Sequence, residues 1–184
     1  MSYLLLGLRA LILVLAVFAY IKMGAIWGWV FLSWYFFSFL LCLRKPLLLE
    51  HTKANEKWEL LGVCLILGTT LLITFDLNAG FFSQSDTMLH IGGGAFVALW
   101  AWLSGFTARL KGDQVKRVIV VLAFAAFAGA LWEFGEWIFD ATIGMRFGLP
   151  SFQPSAADTI KDLLADLLGA AAVVFFLLFQ KRRV

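Results

Sequence analysis

The sequence predicts an all-α, polytopic membrane protein of six transmembrane helices with both ends in the cytoplasm. Three observations carry this reading. The 184-residue chain is 62% hydrophobic and only 15% charged, where a soluble domain carries roughly a quarter charged residues. Its apolar residues fall into six runs, each near the ~20 residues that cross a bilayer. Its basic residues concentrate in alternate connections between those runs, the bias that sets orientation in membranes.

The runs lie near 3–21, 25–43, 58–75, 88–106, 118–139 and 156–179. Their connections are short, so residues 1–184 read as a single membrane domain. The first run resembles a signal peptide, with Arg9 ahead of an apolar stretch from Ala10 to Tyr20. A second apolar run starts at Ala25 and no soluble domain follows, which predicts a retained helix instead. The first two runs read as an aromatic, Leu-rich outer pair with no polar content of note.

With a cytoplasmic start, the inside loops carry Arg44, Lys45, Lys53, Lys57, Arg109, Lys111, Lys116 and Arg117, and the tail adds Lys181, Arg182 and Arg183. The outside connections hold Lys22, Arg146 and Lys161. Trp27, Trp29, Trp58 and Trp137 fall near helix ends, where interfacial tryptophans belong. Because the membrane explains the net charge of +3, nucleic acid is excluded as a partner. Cys42 and Cys64 lie inside apolar runs without framework spacing and read as small buried hydrophobes.

Small residues mark the close helix contacts expected where van der Waals packing drives association in lipid. Gly92, Gly93 and Gly94 open the fourth run, Ala125 to Ala130 include a glycine at 129, and Gly169 to Ala172 sit in the sixth. These three helices are expected to form the core.

The distribution of acids is the functional signal. Of twelve Asp and Glu, eight lie toward the outer face: Asp76, Asp86, Glu133, Glu136, Asp140, Asp158, Asp162 and Asp166. Glu133, Glu136 and Asp140 share one face of the fifth helix, and Asp158, Asp162 and Asp166 one face of the sixth. His90 follows Asp86 by four. At ~1.5 Å per residue, Glu136 and Glu133 lie ~6 and ~10 Å below the outer end, and Asp162 and Asp166 ~9 and ~15 Å. The two acidic rows are therefore expected to face each other.

A charge at the bilayer centre costs ~2.5–3.5 kcal/mol even on the lenient scale. Four carboxylates in one pocket must share protons or hold a metal ion. Nearby cations are few: His90 if protonated, Arg146, and Lys161, which points about 100° from Asp162 around the helix. The metal ligands expected are His90, Glu133, Glu136 and Asp162, with a divalent cation such as magnesium, manganese or zinc. Glu133, Glu136, Asp162 and Asp166 are the candidate catalytic groups, Asp166 acting from behind the ligands or as a proton acceptor.

Bland roles compete for the other acids. Ser155 with Asp158, and the stretch Ser83 to Asp86, both read as helix N-caps. Asp76 and Asp140 read as solvated acids. The chain has no Gly-rich phosphate loop and no Glu-x-x-His pair. Its two histidines, His51 and His90, fall on opposite sides of the membrane, which excludes a multi-histidine hydrolase. Ser104 has no buried base beside it.

Three segments, Asp86-Thr87-Met88-Leu89-His90, Trp132-Glu133-Phe134-Gly135-Glu136-Trp137 and Asp158-Thr159-Ile160-Lys161-Asp162 with Gly169-Ala170 beyond, resemble the YjdF-type bacterial inner-membrane proteins. The run from Asp162 through Asp166 to Gly169-Ala170 is also similar to the last helix of VanZ-like proteins, where Asn stands at the position of Asp166. The resemblance implies a multi-pass protein of the bacterial inner (plasma) membrane with a functional site in these segments. Three functions fit: an enzyme acting on a lipid or lipid-linked envelope molecule, a proton- or cation-coupled carrier, and a non-catalytic lipid-binding envelope factor.

Overall fold

A computed structural model describes residues 3–22, 24–39, 55–79, 82–103, 107, 109–110, 112–147 and 155–181. Cys42, His51 and Ser104 lie outside the described residues, as do the side chains of Trp27, Trp29, Trp58 and Asp76. Every regular element among the described residues is helical. The long ones are α1 (Tyr3–Lys22), α2 (Ala25–Phe37), α3 (Asn55–Ala79), α4 (Phe82–Leu103), α5 (Gln114–Phe139) and α6 (Ala156–Lys181). A π-helical turn at Asp140–Gly144 and a short helical turn at Met145–Phe147 extend α5.

Three of the helical segments, Tyr3–Lys22, Gln114–Thr142 and Ala156–Gln180, are long and apolar enough to cross a membrane. The apolar part of α3, Glu59–Leu72, is shorter. α4 is 22 residues long, but Asp86, His90 and three glycines interrupt its apolar run. Much of its surface is covered by the rest of the protein: Leu89, Ala95, Phe96, Ala98, Leu99, Ala101 and Trp102 are buried.

Local chemistry sets several helix ends. Gly24 sits at φ +101° between α1 and α2, a conformation glycine adopts without a Cβ penalty. Asp113 caps α5, its carboxylate accepting from the Lys116 backbone N–H at 3.0 Å. Ser155 does the same for α6 through the N–H of Asp158 at 3.2 Å, which places an acid in the first turn, where the helix dipole favours negative charge.

α4 is the hub. Its most extensive partner is α6, and it also packs on α3 and α5, while α1 packs on α2 and α3. The α4–α6 approach is reciprocal. A Cβ at Gly94 would collide with the backbone carbonyl of Asp166, and one at Gly169 with that of Ile91. Small residues let the two backbones meet, and meeting puts the polar side chains of both helices at one level. The outward faces carry exposed apolar side chains such as Val14, Phe127, Leu164 and Phe175, a surface matched to lipid.

Three expectations need correction. Cys64 is an exposed thiol on α3 and not a buried hydrophobe, because its face of the helix points away from the bundle. Ser83 and Asp86 do not form a capping pair: α4 begins at Phe82, so Ser83 is already within the helix and Asp86 occupies the second turn. The outer pair is not devoid of polar residues either. Arg9 is fully buried, and its Nη2 donates to Glu59 Oε1 at 2.7 Å and to the Ser38 carbonyl at 2.7 Å. Its guanidinium also lies 4.4 Å from the Phe39 ring centroid. A hydrophobic run hides one arginine easily, and nothing local links it to a glutamate fifty positions on.

Candidate functional site

His90 stands where α4, α5 and α6 converge, only 3% exposed. Its Nδ1 lies 3.2 Å from Asp166 Oδ2 on α6. Its Nε2 lies 3.5 Å from Glu133 Oε1 on α5 and 3.9 Å from Asp86 Oδ1 one turn back on α4. Neither distance is a hydrogen bond, and Nε2 is a buried nitrogen with no hydrogen-bond partner among the described residues. Glu133 and Asp162 are 5% and 1% exposed. The acidic rows of α5 and α6 thus meet at a histidine contributed by a third helix.

Two groups of side chains around His90 have metal-compatible spacing. Asp86, His90 and Asp162 offer ligand atoms within 4.8 Å of one another, and so do His90, Glu133 and Glu136. The first group also has a cation at hand. Lys161 Nζ lies 2.6 Å from Asp158 Oδ1, 3.3 Å from Asp162 Oδ1 and 3.5 Å from Asp86 Oδ2. The sequence places Lys161 away from Asp162, and the structure reverses this. A lysine stem is long and flexible, so the head group reaches acids that the direction of its Cβ misses.

In the second group, Glu136 is fixed by Trp132, whose Nε1 donates to Glu136 Oε1 at 2.7 Å. The two residues are four apart on α5 and share a face, which was the available sequence signal for this contact. Asp166 is set in place by Gly94 of α4, where a Cβ would collide with its backbone, and by Gly129 of α5. A Cβ at Gly129 of α5 would collide with Asp166 Oδ2, whereas one at Gly93 of α4 would lie 3.9 Å from Oδ1. Asp140 opens the π-helical turn, ~6 Å along the axis beyond Glu136, and is not among the groups gathered around His90.

Next to His90 and Asp166 is a cavity of ≈ 340 Å³ whose other walls include Trp34, Phe96, Trp100 and Phe124. The site is therefore amphipathic, with imidazole and carboxylates at one end and hydrocarbon walls beyond them.

Lipid-matched helices around a buried histidine–carboxylate cluster define an integral membrane protein. The chain belongs to the family described as predicted membrane protein (DUF2238), whose match covers residues 2–183. The likeness to YjdF-type proteins is consistent with that family. No curated protein and no solved structure matches the chain.

Proposed function

We propose that the chain spans a bacterial inner membrane six times with both ends inside, and that the cluster around His90 binds a divalent cation in the outer half of the bilayer. The bound ion would act on a lipid or lipid-linked envelope molecule. The observation that carries the metal reading is the buried Nε2 of His90, which has no hydrogen-bond partner among the described residues, with Nδ1 held by Asp166. A carboxylate on one ring nitrogen fixes the tautomer that leaves the other nitrogen's lone pair for a metal.

His90, Glu133 and Glu136 supply one nitrogen and two carboxylates, a donor set suited to zinc, manganese or magnesium. Asp162 lies on the neighbouring side with Asp86 and Lys161 and would complete the charge balance. Such an ion polarises a phosphoryl or carbonyl oxygen and lowers the pKa of a bound water. Glu136, partly exposed, is the carboxylate best placed to exchange protons with substrate or water. The VanZ-like pattern of α6 falls on Asp162 and Asp166, in keeping with an envelope role.

A cation carrier fits less well. The cavity beside His90 is walled by Trp34, Phe37, Phe96, Trp100 and Phe124, which offer a cation no oxygen ligands. The deciding experiment is metal analysis of the purified protein by mass spectrometry. Wild type should hold a stoichiometric ion, and His90→Ala and Glu133→Ala should lose it while eluting as the same folded species. Asp162→Ala should lower occupancy less. A wild type without metal after incubation with magnesium, manganese and zinc would leave the carboxylates sharing protons and overturn the reading.

A further inference from the structure

The cavity beside His90 extends along α4 from His90 to Trp100, ten residues or ~15 Å. Its volume of ≈ 340 Å³ is at the small end of ligand pockets, which run from about 300 to 1,000 Å³. Water has few partners there, because a buried water needs two or more polar groups and the walls are apolar apart from the His90–Asp166 end. Left empty, the walls would forfeit dispersion contacts along the whole length. Within a bilayer the filler at hand is hydrocarbon.

Gly93 adds an independent observation. Its neighbours in the triplet are small because protein packs against them: a Cβ at Gly92 would collide with Thr69, and one at Gly94 with the Asp166 backbone. At Gly93 a Cβ would meet nothing closer than Asp166 Oδ1 at 3.9 Å, and the residue lines the cavity. No protein group requires a glycine there, yet a larger side chain would fill the space beside His90. Access is lateral. α2 packs on α1, and its Trp34 and Phe37 line the cavity together with residues of α4 and α5.

From this geometry we infer that the cavity holds one hydrocarbon chain of an anionic amphiphile, whose head group lies at His90 and whose tail runs toward the stacked Trp100–Phe124 pair. The volume admits one chain and not a diacyl lipid. The head-group placement rests on the metal-site reading above, whereas the tail placement stands on the cavity alone. Trp100 and Phe124, with ring centroids 5.6 Å apart, would set the length of tail accepted.

The test is photolabelling of the protein in lipid nanodiscs by single-chain alkyl phosphates and prenyl phosphates carrying a diazirine at the far end of the chain. Labelling by either chain should fall on Trp100 or Phe124, and the more efficient chain identifies the source of the hydrocarbon. Gly93→Leu should abolish that labelling while metal content and elution stay as in wild type; Ala128→Leu, on the same cavity wall, serves if Gly93→Leu does not assemble. Labelling spread over lipid-facing residues such as Phe127 and Phe134, and unchanged in both variants, would overturn the inference. Labelling at Trp100 that persists in metal-free Glu133→Ala would separate the two readings, sustaining the tail cavity without the ion.

Discussion

The carboxylate of Asp166 lies 3.2 Å from Nδ1 of His90, and the backbone carbonyl of the same aspartate occupies the space that a Gly94 Cβ would need. One residue of α6 thus sets both the distance between α4 and α6 and the orientation of the imidazole. Packing and chemistry are coupled at this point, because a shift of one helix moves the histidine relative to its partners on α5.

If Asp166 orients the ligand histidine, Asp166→Asn should keep a ring contact but weaken the field on the imidazole. Loss of such a partner typically lowers metal affinity by roughly 10–100-fold. Competition titration with a chelator should show that loss with an unchanged thermal transition. Equal affinity in the variant would remove Asp166 from the site.

The glycine triplet should respond unevenly to alanine. Gly94→Ala places a methyl against the Asp166 backbone, which cannot yield as a flexible side chain could, so a loss of about 1–3 kcal/mol is expected. Gly93→Ala meets ordinary contact distance and should be neutral or gain up to about 1 kcal/mol of helix propensity. Thermal denaturation in one detergent compares the two directly.

Arg9 and Glu59 form a buried ion pair at 2.7 Å, with side chains 1% and 10% exposed. Removing one partner leaves the other charge buried without this ion pair, and Arg9→Ala or Glu59→Ala should cost about 3–5 kcal/mol. Replacing both, as Arg9→Met with Glu59→Leu, should recover most of it. A double variant as unstable as the singles would mean that the pair contributes through Ser38 and Phe39 instead.

Asp113 lies outside the membrane-spanning part of α5, and its carboxyl is held below the usual carboxylate range, chiefly by the Lys116 backbone N–H and then by its side chain. A depressed folded value means the cap stabilises fully above the unfolded value, about 3.9, and fades as pH falls through the lower folded value. Circular dichroism melts across that acid range should show Asp113→Asn with a shallower pH dependence than wild type. Parallel curves would sink the assignment.

Much of the candidate site was legible in the chain because acids within apolar runs are costly and helical spacing sorts them onto faces. Glu133 with Glu136, and Asp162 with Asp166, could be grouped from spacing alone, and His90 could be joined to them by its place beside Asp86. Lys161 could not, because the reach of a flexible side chain is not set by its angle on the helix. Arg9 and Glu59 were equally hidden, since no local pattern pairs residues fifty positions apart. Gly93 read the same as Gly92 and Gly94 until their surroundings were known.

By itself the sequence determined the helical class, the apolar surfaces that suit lipid and the register of acids on each helix, all consequences of local composition and the 3.6-residue turn. The tertiary structure alone decided that Asp166 takes Nδ1 of His90, that Glu133 faces Nε2, and that a hydrocarbon-walled cavity lies beside them. Helix periodicity says which residues share a face. Which faces meet depends on how closely two backbones can approach, and here that is settled where Gly94 admits Asp166 and Gly169 admits Ile91.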